Sequence, residues 1–77
     1  MNKPYQAVAC ALHDKYEIAI MHKKHINIKW LDDNGDFQTD KVLPKDILVK
    51  NKEEFLLATG QNNKELCIRL DKLTLLE

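Results

Sequence analysis

The sequence predicts a mainly β protein: a small antiparallel barrel of about five strands with one N-terminal α-helix. Apolar residues recur with a helical period before residue 24 and with a period of two after it. The later segments are joined by stretches too short for the crossovers that parallel strands require. A chain of 77 residues forms one domain at most, so residues 1–77 are taken as a single unit. Closure into a barrel would remove exposed strand edges.

The helix is predicted over residues 11–22. One apolar stripe is formed by residues at i, i+4, i+7 and i+8: Leu12, Tyr16, Ala19 and Ile20. The alternation of Tyr16, Ile18 and Ile20 would also suit a strand. We favour the helix because of this stripe.

Strands are predicted at 26–30 and 66–70, where apolar and polar residues alternate, and at 37–43 with a continuation at 47–49, 55–59 and 73–76. Asn34-Gly35 predicts a hairpin with a type I′ turn, in which both central residues need positive φ. Pro44 is expected to interrupt the second strand, and Lys50-Asn51-Lys52 is expected to form a loop. The expected buried residues are Ile26, Ile28, Leu57, Leu66, Ile68 and Leu70.

Composition excludes several classes of protein. Twelve Lys and Arg balance twelve Asp and Glu, which excludes a wholly basic nucleic-acid binder and an acidic disordered tail. No apolar run approaches the roughly 20 residues of a membrane span. The first residues lack the apolar core of a signal peptide. A cytoplasmic location is therefore expected.

Residues suited to catalysis or metal binding are few. The chain has no serine and no glycine-rich phosphate loop. Cys10 and Cys67 form no CxxC motif and are expected to be buried free thiols. His22 and His25 are three residues apart, but no second pair has zinc-site spacing. We therefore expect a binding module rather than an enzyme, with no metal and no other cofactor.

Asp14 and Glu17 have two possible roles. An Asp at the start of a helix with Glu three residues later forms a capping box, if the helix starts at residue 15. If it starts near residue 11, both carboxylates project into solvent and could bind a partner. Their sequence pattern alone does not decide between these roles.

A set of residues spread along the chain has a familiar order and spacing. They are Tyr5-Gln6, Cys10, His13-Asp14, Glu17-Ile18-Ala19, His22, Asp33-Asn34-Gly35, Glu54-Phe55-Leu56, Glu65-Leu66 and Arg69-Leu70-Asp71-Lys72-Leu73. Through them the chain resembles, from Tyr5 to Thr74, the Rof family, also called YaeO, the Rho-binding antiterminators of bacteria.

The resemblance implies an Sm-like fold and a function in transcription. Such proteins bind the hexameric Rho helicase at its primary RNA-binding site, block RNA loading and so reduce Rho-dependent termination. The Rho-binding residues that it implies are His13, Asp14 and Glu17 on the helix, and Lys50, Asn51 and Lys52 in the central loop. His13 stands where a relative has a tyrosine, and the loop aligns with or without a one-residue insertion. We expect a monomer when free, with Rho as partner and no direct binding to nucleic acid or membrane.

The alternative from another class is an Sm-like RNA-binding module. Residues 31–37 resemble the first Sm motif. The Lys/Arg-Gly of the second motif is absent, because the corresponding region reads Ile68-Arg69-Leu70-Asp71. The acidic hairpin tip would also repel phosphate. Direct RNA binding is therefore the less favoured hypothesis.

Overall fold

The computed structural model describes residues 10–76. For Cys10 it describes the backbone only. These residues form one α-helix and five strands: α1 Cys10–Met21, β1 Ile26–Leu31, β2 Phe37–Lys50, β3 Glu53–Thr59, β4 Glu65–Arg69 and β5 Leu73–Leu75. Short 3₁₀ turns at Gln61–Asn63 and Leu70–Lys72 precede β4 and β5. Within this part of the chain, no helix has both the length and the apolar character needed to cross a membrane.

The five strands form one antiparallel sheet in the order β4-β3-β2-β1-β5. The mainly β fold with an N-terminal helix is therefore confirmed. The long strand β2 belongs to both halves of the sheet, because Phe37 to Val42 pair with β1 and Leu43 to Lys50 pair with β3. The sheet stays open between β4 and β5, so the predicted barrel is confirmed only in outline.

Pro44 lies inside β2, so the expected interruption of this strand is wrong. The pairing with β3 shifts register between Pro44 and Asp46, which marks a β-bulge. Proline is tolerated at a bulge because its missing N–H is not needed for the ladder there. The two predicted pieces of the second strand are thus one strand of 14 residues.

The helix packs against β2 through its predicted stripe. It begins at Cys10, one residue before the expected start. Tyr16 and Ala19 are buried, and Leu12 and Ile20 pack partly buried against the core. The fully buried hydroxyl of Tyr16 has no hydrogen-bond partner in the described part of the chain. Burial raises the pKa of Tyr16 to about 12 because it disfavours the phenolate.

The core contains most of the expected residues, with one error of register. Ile28, Ile68 and Leu70 are buried, whereas Ile26 and Leu66 are half-buried against the core. The expectation for Leu57 is wrong, because its neighbours Leu56 and Ala58 are the buried residues of β3. Residues 55–58 are all apolar, so their pattern does not distinguish the two faces, and a shift of one residue exchanges them.

The two hairpin turns of β2 differ from the expected types. The Asn34-Gly35 hairpin is confirmed, but Gly35 alone has positive φ there, so the type I′ prediction is wrong. The Asp32 carbonyl accepts from the Gly35 N–H at 3.1 Å, as in a turn followed by a glycine bulge. The expected loop at residues 50–52 is instead a tight two-residue turn, with φ of +52° at Asn51 and +64° at Lys52. Two positive φ values are typical of a type I′ turn.

Candidate protein-binding site

A groove lies where α1 meets the hairpin formed by β2 and β3. Its volume is ≈ 370 Å³. The lining residues are His13, Glu17, Ile20 and Met21 from the helix, and Asp46, Ile47, Val49 and Glu54 from the hairpin. This groove brings together residues that are far apart in the sequence.

His13 connects the helix to the hairpin at this groove. Its Nε2 lies 2.9 Å from Oε2 of Glu54 on β3, and its Nδ1 lies 3.3 Å from Oε1 of Glu17, one helical turn later. A neutral imidazole can donate to one of these carboxylates, and a doubly protonated ring can donate to both. The contact between His13 and Glu54 joins residues 41 positions apart.

The helix boundaries decide between the two roles of Asp14 and Glu17. Because α1 already includes Cys10, Asp14 lies inside the helix and cannot be its N-cap. The capping-box hypothesis is therefore wrong. Both carboxylates are exposed on the helix, as the alternative required.

The side chains of His13, Asp14 and Glu17 are close to one another. Their potential ligand atoms all lie within 4.8 Å, close enough to share a cation. Sequence spacing had instead drawn attention to His22 and His25, which are both exposed. Exposed acidic groups often cluster without an ion, and Glu17 and Glu54 already lie against the imidazole. The absence of a metal cofactor therefore stays a prediction.

The turn at Lys50, Asn51 and Lys52 lies at the same end of the hairpin as Glu54. Lys50 pairs with Glu53 in the β2–β3 register, and Val49 pairs with Glu54. The turn thus begins one residue pair beyond the carboxylate that contacts His13. All three turn residues are exposed. Of the six expected binding residues, His13 and Glu17 line the groove, whereas Asp14, Lys50, Asn51 and Lys52 are not among its lining residues.

Exposed apolar side chains accompany these charges, and sequence reasoning missed them. Met21 is 75% exposed and Val49 is 64% exposed, and both line the groove. The sequence did contain one indication that Met21 is exposed, because this residue lies outside the apolar stripe of the helix. Together these two side chains give the groove an exposed apolar surface beside its carboxylates.

Arg69 and Asp71 form a second charged cluster with a different character. The guanidinium donates from Nε to Asp71 Oδ1 at 2.6 Å and from a terminal nitrogen to Oδ2 at 2.8 Å. Another terminal nitrogen lies 3.5 Å from Oε2 of Glu53 on β3. The side chains of Arg69 and Asp71 are only 9% and 6% exposed. This bidentate pair fixes the 3₁₀ turn that follows β4.

Cys67 is a free thiol, but it is exposed, so the expectation of burial is wrong. Leu66 and Ile68 point toward the core on either side of it, and alternation along β4 directs Cys67 outward. The side chain of Cys10 lies outside the described part of the structure.

Comparison with known proteins adds no family assignment. No family model matches the chain, and no curated protein matches its sequence.

Proposed function

We propose that this protein is a Rof-like inhibitor of Rho-dependent transcription termination, which binds the Rho hexamer at its primary RNA-binding site and blocks RNA loading. In this proposal the protein acts without catalysis in the bacterial cytoplasm, and it is a monomer when free. The supporting observation is that Asp14 and Glu17 are exposed within α1 rather than used as a cap, next to the β2–β3 hairpin.

The chemistry of the groove suits competition with RNA. A site that holds single-stranded RNA combines cationic groups for phosphates with aromatic surfaces for bases. Exposed carboxylates on α1 can occupy the positions of phosphates and accept charge-assisted hydrogen bonds. The exposed side chains of Met21 and Val49 can cover apolar or aromatic surface beside those cations. Lys50, Asn51 and Lys52 then form the second contact region.

Direct RNA binding through the β1–β2 turn is less well supported. Gln38 Nε2 and the backbone N–H groups of Asp36 and Asn34 donate to the carboxylate of Asp32. These bonds, that of Gln38 foremost, hold the pKa of Asp32 below its usual value. This turn therefore presents negative charge, which repels phosphate.

The proposal is tested by capture of purified Rho with the tagged protein, with and without excess oligo(C) RNA. We expect Rho to be retained and oligo(C) to displace it. Asp14→Lys should weaken binding by several kcal/mol, because it replaces an attraction with a like charge. The melting temperature should not change, since Asp14 is not a cap. Asp33→Lys is the matched control, because it reverses an exposed carboxylate in the distant β1–β2 turn.

Three results would contradict the proposal. The first is that Rho is not retained, and the second is that Asp14→Lys and the control bind Rho equally well. The third is an affinity independent of salt, because exposed charges are screened over about 10 Å at 0.1 M salt. Tight binding of oligo(C) to the protein without Rho would favour the RNA-binding alternative.

A further inference from the structure

A second groove lies on the other flank of α1, where the helix faces the start of β1 and the strand β5. Its volume is ≈ 620 Å³, which is larger than the ≈ 370 Å³ of the groove at His13. Its apolar lining comes from three elements: Ile18 and Ala19 of α1, Ile26 of β1 and Leu75 of β5. The two grooves share no lining residue among those described.

Basic groups surround this apolar lining. Lys24 and His25 precede β1, Lys41 lies on β2, and Lys15 lies on the helix. All four are exposed, and no carboxylate is found among the described residues that line the groove. The chain as a whole has no net charge. Charges of opposite sign are therefore separated onto the two flanks of one helix, with Glu17 beside one groove and Lys15 beside the other.

We propose that this basic groove binds an acidic segment of a partner protein that inserts an apolar side chain between the lysines. Charge complementarity selects the acidic residues of the segment, because a lysine is a flexible point charge that pairs with a carboxylate. Ile18, Ile26 and Leu75 provide the apolar surface for its anchoring side chain. The inference goes beyond the proposed function, because it concerns a separate surface and a ligand of opposite charge.

A protein segment fits this groove better than single-stranded RNA does. Sites for single-stranded RNA combine a cationic track with aromatic side chains on which the bases stack. The described lining has no Phe, Tyr or Trp, and its lysines surround a compact apolar area. Aliphatic side chains between a few cations suit leucine flanked by glutamates.

The test uses a capped hexapeptide of alternating glutamate and leucine as the probe, titrated into the ¹⁵N-labelled full chain at low salt. We expect amide shifts at Lys24 to Asn27, Lys41 and Leu75. The double variant Lys24→Glu/Lys41→Glu should weaken binding at least about tenfold. Lys45→Glu/Lys64→Glu is the matched control, because it changes net charge equally with exposed lysines outside the groove. It should change the affinity less than about twofold.

Further titrations separate the proposed ligand from other anions. A peptide with serine in place of leucine should bind at least about tenfold more weakly. Equal binding of the serine peptide would overturn the proposal, because attraction would then come from charge alone. Absence of shifts in the groove, or equal loss of affinity in both double variants, would overturn it too. Groove shifts produced by oligo(C) at lower concentration than by the peptide would assign the surface to RNA instead. Amide dispersion of each variant verifies that it is folded.

Discussion

Two adjacent glutamates of β3 belong to charged clusters of different kinds. Glu53 lies against Arg69, whose guanidinium is nearly buried and also holds Asp71 in a bidentate pair. Glu54 lies against His13, whose side chain is 24% exposed at the rim of a groove. Neighbouring residues of a strand point to opposite faces, so one short segment serves two separate surfaces.

The comparison separates residues that hold the fold from residues available to a partner. The segment Arg69 to Leu73 contributes strongly to the resemblance on which the functional proposal rests, yet the side chains of its charged pair are only 9% and 6% exposed. Asp14 and Glu17 are exposed and contribute little to the core. Arg69 and Asp71 therefore serve the fold, whereas Asp14 and Glu17 are accessible to a partner.

The largest expected effect comes from breaking the buried cluster. Arg69→Ala should lower the free energy of unfolding by about 3 kcal/mol, because it removes the bidentate donor to a carboxylate whose side chain is only 6% exposed. His13→Ala should lower it by less than about 1 kcal/mol, since its partners are partly exposed. Urea unfolding followed by circular dichroism measures both. A loss of similar size in the two variants would contradict the distinction between the clusters.

The buried hydroxyl of Tyr16 should lower the stability of the folded protein. Tyr16→Phe should raise stability at neutral pH by about 1 kcal/mol, because it removes a buried hydroxyl that lacks a partner in the described residues. A lower stability of this variant would show that the hydroxyl is hydrogen-bonded.

The same variant should change the response to alkaline pH. Burial raises the pKa of Tyr16 to about 12 from 10.0, so the folded state holds this proton more tightly than the unfolded chain does. The corresponding stability is complete below pH 10 and is lost as pH rises toward 12. Thermal unfolding between these pH values should show a smaller decrease for Tyr16→Phe than for the unchanged protein. Equal decreases would contradict this assignment.

Isosteric changes of the two glutamates compare the clusters directly. Glu53→Gln should cost about 1 kcal/mol of stability, because it removes the charge that faces a nearly buried guanidinium. Glu54→Gln should cost about 0.5 kcal/mol or less, because its contact to His13 is partly solvated. Added salt should diminish the second effect more than the first. The reverse order of the two losses would contradict the comparison.

The smallest expected effect concerns the turn that precedes both glutamates. Lys52→Gly should raise stability by about 0.5 kcal/mol, because glycine adopts the φ of +64° without the clash of a β-carbon. The gain is small because glycine also loses more conformational entropy on folding. Asn51→Gly should give less, since asparagine tolerates positive φ well. Equilibrium unfolding of the two variants checks the order.

Periodicity predicted the elements of the fold well where polar and apolar residues are sharply separated. The stripe that includes Tyr16 placed the helix within one residue, and the alternation at Ile28 and Ile68 placed two strands with the correct faces. It failed at residues 55–58, where every residue is apolar, and at Pro44, where a bulge accommodates proline. The turn at Asn51-Lys52 lacks glycine, so its tight geometry had no clear indication in the sequence.

The candidate site was less accessible to sequence reasoning. The resemblance supplied His13, Asp14 and Glu17, but the contact between His13 and Glu54 depends on a tertiary arrangement that no local pattern encodes. The choice between a cap and an exposed surface at Asp14 required the position of the helix start. The basic groove likewise combines α1, β1, β2 and β5, whose lysines are scattered along the chain.

The order of strands has a consequence for the folding pathway. The pairs β1–β2, β2–β3 and β3–β4 each join consecutive strands, so they close short loops at low entropic cost. The pair β1–β5 joins Lys29 to Thr74, so its formation closes a loop that contains almost the whole sequence of the sheet. Loops of that length form slowly, so this pairing should be largely absent from the transition state. Substitutions in β5 would then accelerate unfolding while leaving the folding rate nearly unchanged.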